Sequence, residues 1–139
     1  MIPVSYNGSA WVKANSSNTN NTWYDYNSQR WANAVLVTHL WMADSATKQD
    51  RETVASTLKD IKKLNPEVVV PAHTSVNAPQ NLAAVNFSLD YLAQYEKAVT
   101  ASKNSAELIA QMKNKYPELA GDSSLELGAN VVKGEVKWP

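Results

Sequence analysis

The residue usage of this chain changes abruptly near residue 38, and this change constrains the fold more than any other feature. Residues 1–38 hold three charged side chains, seven Asn and six large aromatic rings, a composition typical of strands and turns. From residue 45 the apolar residues recur with a period of about 3.6 instead of two, which predicts helices. We therefore expect an α+β fold in which an antiparallel β meander from the N-terminal part packs against three to four helices.

Turn signals divide the N-terminal part into two predicted hairpins. Asn7-Gly8 suits a type I′ turn between residues 4–6 and 10–12, because both residues tolerate positive φ. Residues 23–26 and 30–37 predict a second hairpin. The continuous apolar run Val68-Val69-Val70 predicts a short buried strand, which is a candidate to join the meander.

Start signals for helices follow from residue 47 onward. A helix N-terminus favours a side chain that accepts hydrogen bonds from its free backbone N–H groups, and proline suits the first turn. The predicted starts are Thr47 with Asp50, Pro79, Asn104 with Glu107, and Ser123 with Glu126. The apolar stripes of these helices predict a common core.

Composition removes several classes of partner. Thirteen Lys and Arg balance thirteen Asp and Glu, so no overall field attracts nucleic acid or anionic lipid. No apolar run reaches the length of about 18 residues that a membrane helix needs, and the first residues lack a signal-peptide pattern. We expect no nucleic-acid or membrane partner, while localisation and oligomeric state stay open.

The inventory of catalytic side chains is short. With no Cys, the imidazoles of His39 and His73 are the nitrogen donors for a metal, whereas a catalytic zinc needs about three protein ligands. A site built from both His and Asp44 would require distant segments to converge. A Gly-x-Ser-x-Gly motif and a glycine-rich phosphate loop are absent from the sequence. We therefore predict no catalytic residue and expect no cofactor.

The aromatic residues offer a binding hypothesis. Alternation along a strand places Tyr24 and Tyr26 on one face, where exposed rings could stack on a carbohydrate. The alternative is that the same rings form the core of a small sheet. The sequence leaves both readings open.

Residues 39–139 resemble the C-terminal part of metallo-β-lactamase-fold hydrolases. The motifs that carry this resemblance share the family's order and spacing. They are His39-Leu40-Trp41-Met42-Ala43-Asp44, the run from Lys59 through Val68-Val69-Val70-Pro71-Ala72-His73, Ser88-Leu89-Asp90-Tyr91-Leu92, Lys115-Tyr116-Pro117-Glu118-Leu119 and Lys133-Gly134-Glu135-Val136-Lys137-Trp138-Pro139. The resemblance implies that His73, at the end of a strand, corresponds to the family's last zinc ligand.

The same resemblance marks what is missing. The family's His-x-His-x-Asp-His signature, its middle histidine and its bridging aspartate have no counterpart here, and Ala72 stands where the family usually has Gly. One remaining ligand does not hold a catalytic zinc. By this resemblance His73 is a vestigial metal ligand. We expect zinc to bind only if another chain supplies the missing ligands.

Residues 1–38 are similar to a different family, an aromatic β module of surface and phage-tail-like proteins of Gram-positive bacteria. The similarity rests on Asn7-Gly8-Ser9-Ala10-Trp11-Val12-Lys13-Ala14, Trp23-Tyr24-Asp25-Tyr26 and Gln29-Arg30-Trp31-Ala32-Asn33-Ala34-Val35. The hydrolase-like sequence begins immediately afterwards, at His39. A chimeric or artificial chain is one explanation for this junction, and a natural gene fusion is another. We expect segments 1–38 and 39–139 to form one combined domain.

Three functions remain as hypotheses from the sequence. The leading one is a folded, non-catalytic domain with no intact active site, chimeric or designed in origin. The first alternative is a fragment of a zinc-dependent hydrolase that needs ligands from another chain. The second is a carbohydrate-binding module that uses Tyr24 and Tyr26.

Overall fold

A computed structural model describes residues 3–6, 9–13, 22–25, 30–37, 40–71, 74–75 and 77–138. In the first four of these ranges it describes the backbone alone. The chain divides into two compact units. Unit 1 combines residues 1–39 with 60–87, and unit 2 combines residues 40–59 with 88–139.

Unit 1 contains the strands. They are β1 (Pro3–Tyr6), β2 (Ser9–Lys13), β3 (Thr22–Asp25), β4 (Arg30–Val37) and β5 (Val68–Pro71). Neighbours from β1 to β4 pair antiparallel, whereas β5 pairs parallel with β4 and places Val69 opposite Val35. Val68, Val69 and Val70 are buried, which confirms the predicted short buried strand.

Four helices occur among the described residues after residue 39, and β5 lies between the first and the second of them. They are α1 (Lys48–Leu64), α2 (Leu82–Ala101), α3 (Ser105–Lys115) and α4 (Asp122–Val132). The predicted capping box at the start of α1 is confirmed, because the Asp50 backbone N–H donates to Thr47 Oγ1 at 3.1 Å and the Thr47 N–H donates to Asp50 Oδ2 at 3.0 Å. The predicted cap of α3 is confirmed as well, with the Glu107 N–H donating to Asn104 Oδ1 at 2.9 Å.

The expected fold class, α+β with an antiparallel β meander packed against three to four helices, is wrong, because helices and not the antiparallel pairing of β1 to β4 make up most of the described structure. The protein is mostly helical, with helices of 17, 20, 11 and 11 residues. Where side chains are described, the structure holds these four helices and one short strand, and most of the buried side chains belong to the helices. The physical reason is that helix faces in unit 2 bury one another's apolar residues, as where α3 contacts α4, and do not require a sheet to cover them.

Two predicted helix starts also need correction. Pro79 precedes α2, which begins at Leu82 after Asn81 accepts a hydrogen bond from the Ala83 N–H at 2.8 Å. The α4 helix begins at Asp122 rather than at Ser123, because Gly121 with φ +100° turns the chain into the helix. Glycine reaches this conformation without the steric cost that a Cβ imposes.

The core of unit 2 is built from helix faces and from the segment before α1. Its buried apolar residues include Met42, Ala43, Leu58, Leu92, Tyr95, Ala98, Leu108, Met112 and Ala129. Full burial of a side chain such as Leu108 stabilises the fold by about 1.5–3 kcal/mol. Gly128 on α4 permits the close approach of the Met42 segment, since a Cβ built on it would lie 2.8 Å from Met42 Cβ.

Candidate functional site

The residues singled out from the sequence fall largely outside the described part of the chain. His73, the expected vestigial zinc ligand, lies outside the described residues, as do His39 and Tyr26. Tyr24 lies in β3, where the structure describes its backbone and not its side chain. The metal and carbohydrate hypotheses for these residues therefore stay predictions.

A buried arginine lies at the centre of unit 2. The Arg51 side chain on α1 is 5 % exposed and donates through Nε to Glu96 Oε2 on α2 at 2.7 Å. Its Nη1 donates to the backbone carbonyls of Ser45 at 2.9 Å and Ala46 at 2.8 Å. A buried guanidinium needs several acceptors, because a buried donor left without one costs about 1–3 kcal/mol. The arrangement ties α1, α2 and the preceding loop together.

A second group of polar contacts comes from residues 133–138, which we call the C-terminal clasp. Lys133 Nζ donates to the carbonyls of Val99 at 2.7 Å and Ser102 at 2.6 Å, at the end of α2. The Glu135 carboxylate accepts from the Ser105 N–H at 2.8 Å and from Ser105 Oγ at 2.6 Å, at the start of α3. The clasp thus satisfies free carbonyls of one helix end and a free N–H of another.

The far end of the clasp reaches the segment before α1. Trp138 Nε1–H donates to Asp44 Oδ1 at 2.8 Å. Its ring stacks on Trp41 with centroids 6.3 Å apart and an interplanar angle of 30°. Stacked pairs of this geometry add about 0.5–1.5 kcal/mol beyond the burial of their area.

Three tyrosines form an aromatic cluster in unit 2. Tyr91 lies against Tyr95, with centroids 6.1 Å apart, and against Tyr116 at 5.3 Å. Tyr116 donates its hydroxyl to Asp90 at 2.6 Å. Tyr95 is fully buried, and its hydroxyl finds no hydrogen-bond partner among the described residues.

Hydrogen bonds and burial shift the pKa values of several of these groups away from neutral pH. Hydrogen bonds from Thr47, Tyr116 and Ser105 lower the pKa of Asp50, Asp90 and Glu135 respectively. Burial raises the pKa of Tyr91, Tyr95 and Tyr116. A general acid or base works best with a pKa near the operating pH, whereas these shifts keep the carboxyls ionised and the phenols protonated near neutral pH.

The described residues of unit 2 also form a surface depression. A shallow depression along one face of α2 is lined by Ala93, Glu96, Lys97, Thr100 and Ala101, and it is open to solvent. No group of three or more His, Cys, Asp or Glu that could hold a metal ion occurs among the residues that the structure describes. Within the same residues, no helix is long and apolar enough to cross a membrane.

Several of these residues escaped the sequence analysis, and one of them carried a usable signal. Arg51 precedes Val54 by three residues and Leu58 by seven, so it lies on the apolar face of α1. A charge in that position predicts a buried partner. The contacts of Glu135 and Trp138 gave no such signal, because their partners lie 30 and 94 residues away.

Comparison with known proteins gives no family for this chain. No family model, no curated protein and no solved structure matches the sequence or the fold.

Proposed function

We propose that this chain is a folded, non-catalytic domain whose charged side chains serve to hold its helices together. The observation that carries this proposal is that carboxylates of unit 2 are engaged by donors of the same unit. Glu96 binds the buried Arg51, Glu135 binds Ser105, and Asp90 binds Tyr116.

The chemistry of those contacts supports a structural role. A catalytic carboxyl is tuned upward in pKa by burial or by a second carboxylate, so that it exchanges a proton near neutral pH. Asp90 and Glu135 are tuned in the opposite direction by hydrogen bonds to their charged forms. They act as fixed acceptors that join helices and loops.

The resemblance to metallo-β-lactamase-fold hydrolases enters this proposal as ancestry. In that reading, residues 39–139 keep the packing of a hydrolase half, and His73 is the remnant of a zinc ligand. The change of residue usage at residue 38 supports a chimeric or designed origin, because two kinds of sequence meet there without a linker.

Zinc binding tests the proposal directly. The purified chain, first stripped with a chelator, is titrated with zinc by calorimetry, and its bound metal is measured by elemental analysis. We expect zinc well below one equivalent and no turnover of ester, lactam or thioester substrates, since a lone histidine gives a weak site.

The two histidines provide a matched pair of variants. His73→Ala and His39→Ala should behave like the unaltered chain in this titration. Near-stoichiometric tight zinc that is lost in His73→Ala and kept in His39→Ala would overturn the proposal, and turnover that follows the metal would replace it with the hydrolase reading.

A further inference from the structure

The clasp is held to unit 2 by contacts of two different kinds. At its base, Lys133 binds the end of α2, and the Glu135 and Val136 N–H groups donate to the Asn130 carbonyl at 2.8 and 3.2 Å. Gly134, with φ +73°, lies just after the end of α4 and turns the chain away from the helix. None of these base contacts depends on an anionic side chain.

Beyond the base, the clasp is fastened by two carboxylates. Glu135 supplies the acceptor for both donors of Ser105, and Asp44 supplies the acceptor for the Trp138 indole. A carboxylate accepts such bonds strongly when ionised and loses much of that capacity when protonated. Both fastenings therefore depend on a carboxylate oxygen as the acceptor.

The apolar side chains of the clasp are only partly buried. Residues 134–138 are exposed, and Val136 and Trp138 retain 42 % and 40 % of their accessible surface. By contrast, Leu108 and Met112 of the adjoining α3 are 0 % and 2 % exposed. Segments with few buried apolar contacts open locally at a lower free energy than the core does.

We propose that acid releases residues 135–138 of the clasp, which then detach from Ser105 and Asp44 while the helices of unit 2 remain folded. Release uncovers the face of Trp41 that Trp138 covers at neutral pH. Lys133 and the end of α4 keep the base of the clasp attached, so residues 135–138 open together as one segment.

The groups that face the clasp differ between its two fastenings. Glu135 faces the donors of Ser105 on α3 and the ammonium of Lys133 on its own segment, and these hold the Glu135 pKa below its ordinary value. The charge that faces Trp138 from the segment before α1 is Asp44.

Indole resonances in 15N-correlated NMR spectra test the proposal on the full chain. Trp138→Phe assigns the Trp138 Nε1–H signal among the five tryptophans. On acidification we expect this signal to move to the position of a free indole before the helical circular dichroism at 222 nm declines. Loss of both signals at the same pH would overturn the proposal.

Neutral-pH variants give a second measurement. Glu135→Gln and Asp44→Asn should each speed exchange of the Trp138 Nε1–H on the order of fivefold to tenfold, the factor that corresponds to one net hydrogen bond. Helical dichroism should stay unchanged. Glu118→Gln is the matched control, because Glu118 is an exposed carboxylate elsewhere in the unit. Equal exchange in all three variants would also contradict the clasp.

Discussion

Replacing the buried Tyr95 by Phe should stabilise this protein, contrary to the usual effect of core substitutions. The ring of Tyr95 is fully buried, and its hydroxyl has no hydrogen-bond partner among the described residues. Folding therefore strips this hydroxyl of its water without replacing the lost hydrogen bonds. A buried polar group left in this state costs about 1–3 kcal/mol.

The magnitude follows from what the substitution keeps and what it removes. Tyr95→Phe keeps the ring, its packing on Tyr91 and its place in the stripe of α2, and it removes only the hydroxyl. The small gap that the oxygen leaves offsets part of the gain. We expect a net increase in the free energy of unfolding of about 1 kcal/mol, equivalent to about 4 °C in Tm for a chain of this size.

Urea unfolding at neutral pH, followed by circular dichroism at 222 nm, measures this change. The midpoint should rise with an unchanged slope, because the unfolded surface is nearly the same. A loss of stability of about 1 kcal/mol would show that the hydroxyl is hydrogen-bonded, and the argument from its desolvation would fail.

Tyr116→Phe is the matched control, with the opposite expected sign. Its hydroxyl donates to Asp90 at 2.6 Å, and this bond, followed by one from Gln94, lowers the Asp90 pKa. Since the folded pKa lies below the ordinary value of 3.8, this contribution is present above that pH and is lost as the pH falls below it. Tyr116→Phe should lower stability at neutral pH and flatten its decline in acid. An unchanged acid profile would count against the bond.

Three further substitutions test the packing of unit 2 by the same urea assay. Gly128→Ala should destabilise by about 1–2 kcal/mol, because overpacking against Met42 outweighs the gain of about 1 kcal/mol in helix propensity; a stabilised variant would refute the close approach. Glu96→Ala should cost about 2 kcal/mol by leaving the buried Arg51 short of an acceptor, and a neutral result would mean that water replaces Glu96. Leu108→Ala should cost about 2–5 kcal/mol, and a cost below 1 kcal/mol would place this side chain outside the core.

Local features of this fold could be predicted from the sequence because their determinants are close along the chain. The capping box of α1 and the cap of α3 each join residues three positions apart. The buried strand at Val68–Val70 followed from a continuous apolar run. In each case the signal lies within a single element.

The fold class could not be predicted in the same way. Aromatic and Asn-rich composition in residues 1–38 directed attention to a sheet as the organising layer, although the apolar stripes from residue 48 onward were already stronger. Periodicity shows that a helix has an apolar face but does not show what covers that face. Here α3 lies on α4, and Met42 lies on Gly128, so helices and one loop segment provide the covering.

The polar contacts that join the elements of unit 2 mark the limit of reasoning from sequence. The partners of Arg51 and Trp138 are separated from them by 45 and 94 residues, so no local pattern selects Glu96 or Asp44 from the other carboxylates. Burial of a charge supplies a partial rule, because Arg51 on an apolar helix face requires acceptors wherever the fold brings them. Trp138 obeys no such rule, since an exposed indole is stable in water. Its contact with Asp44 joins two segments that are remote in sequence, so it is visible only in the folded chain, where Lys133 holds the same segment to the end of α2.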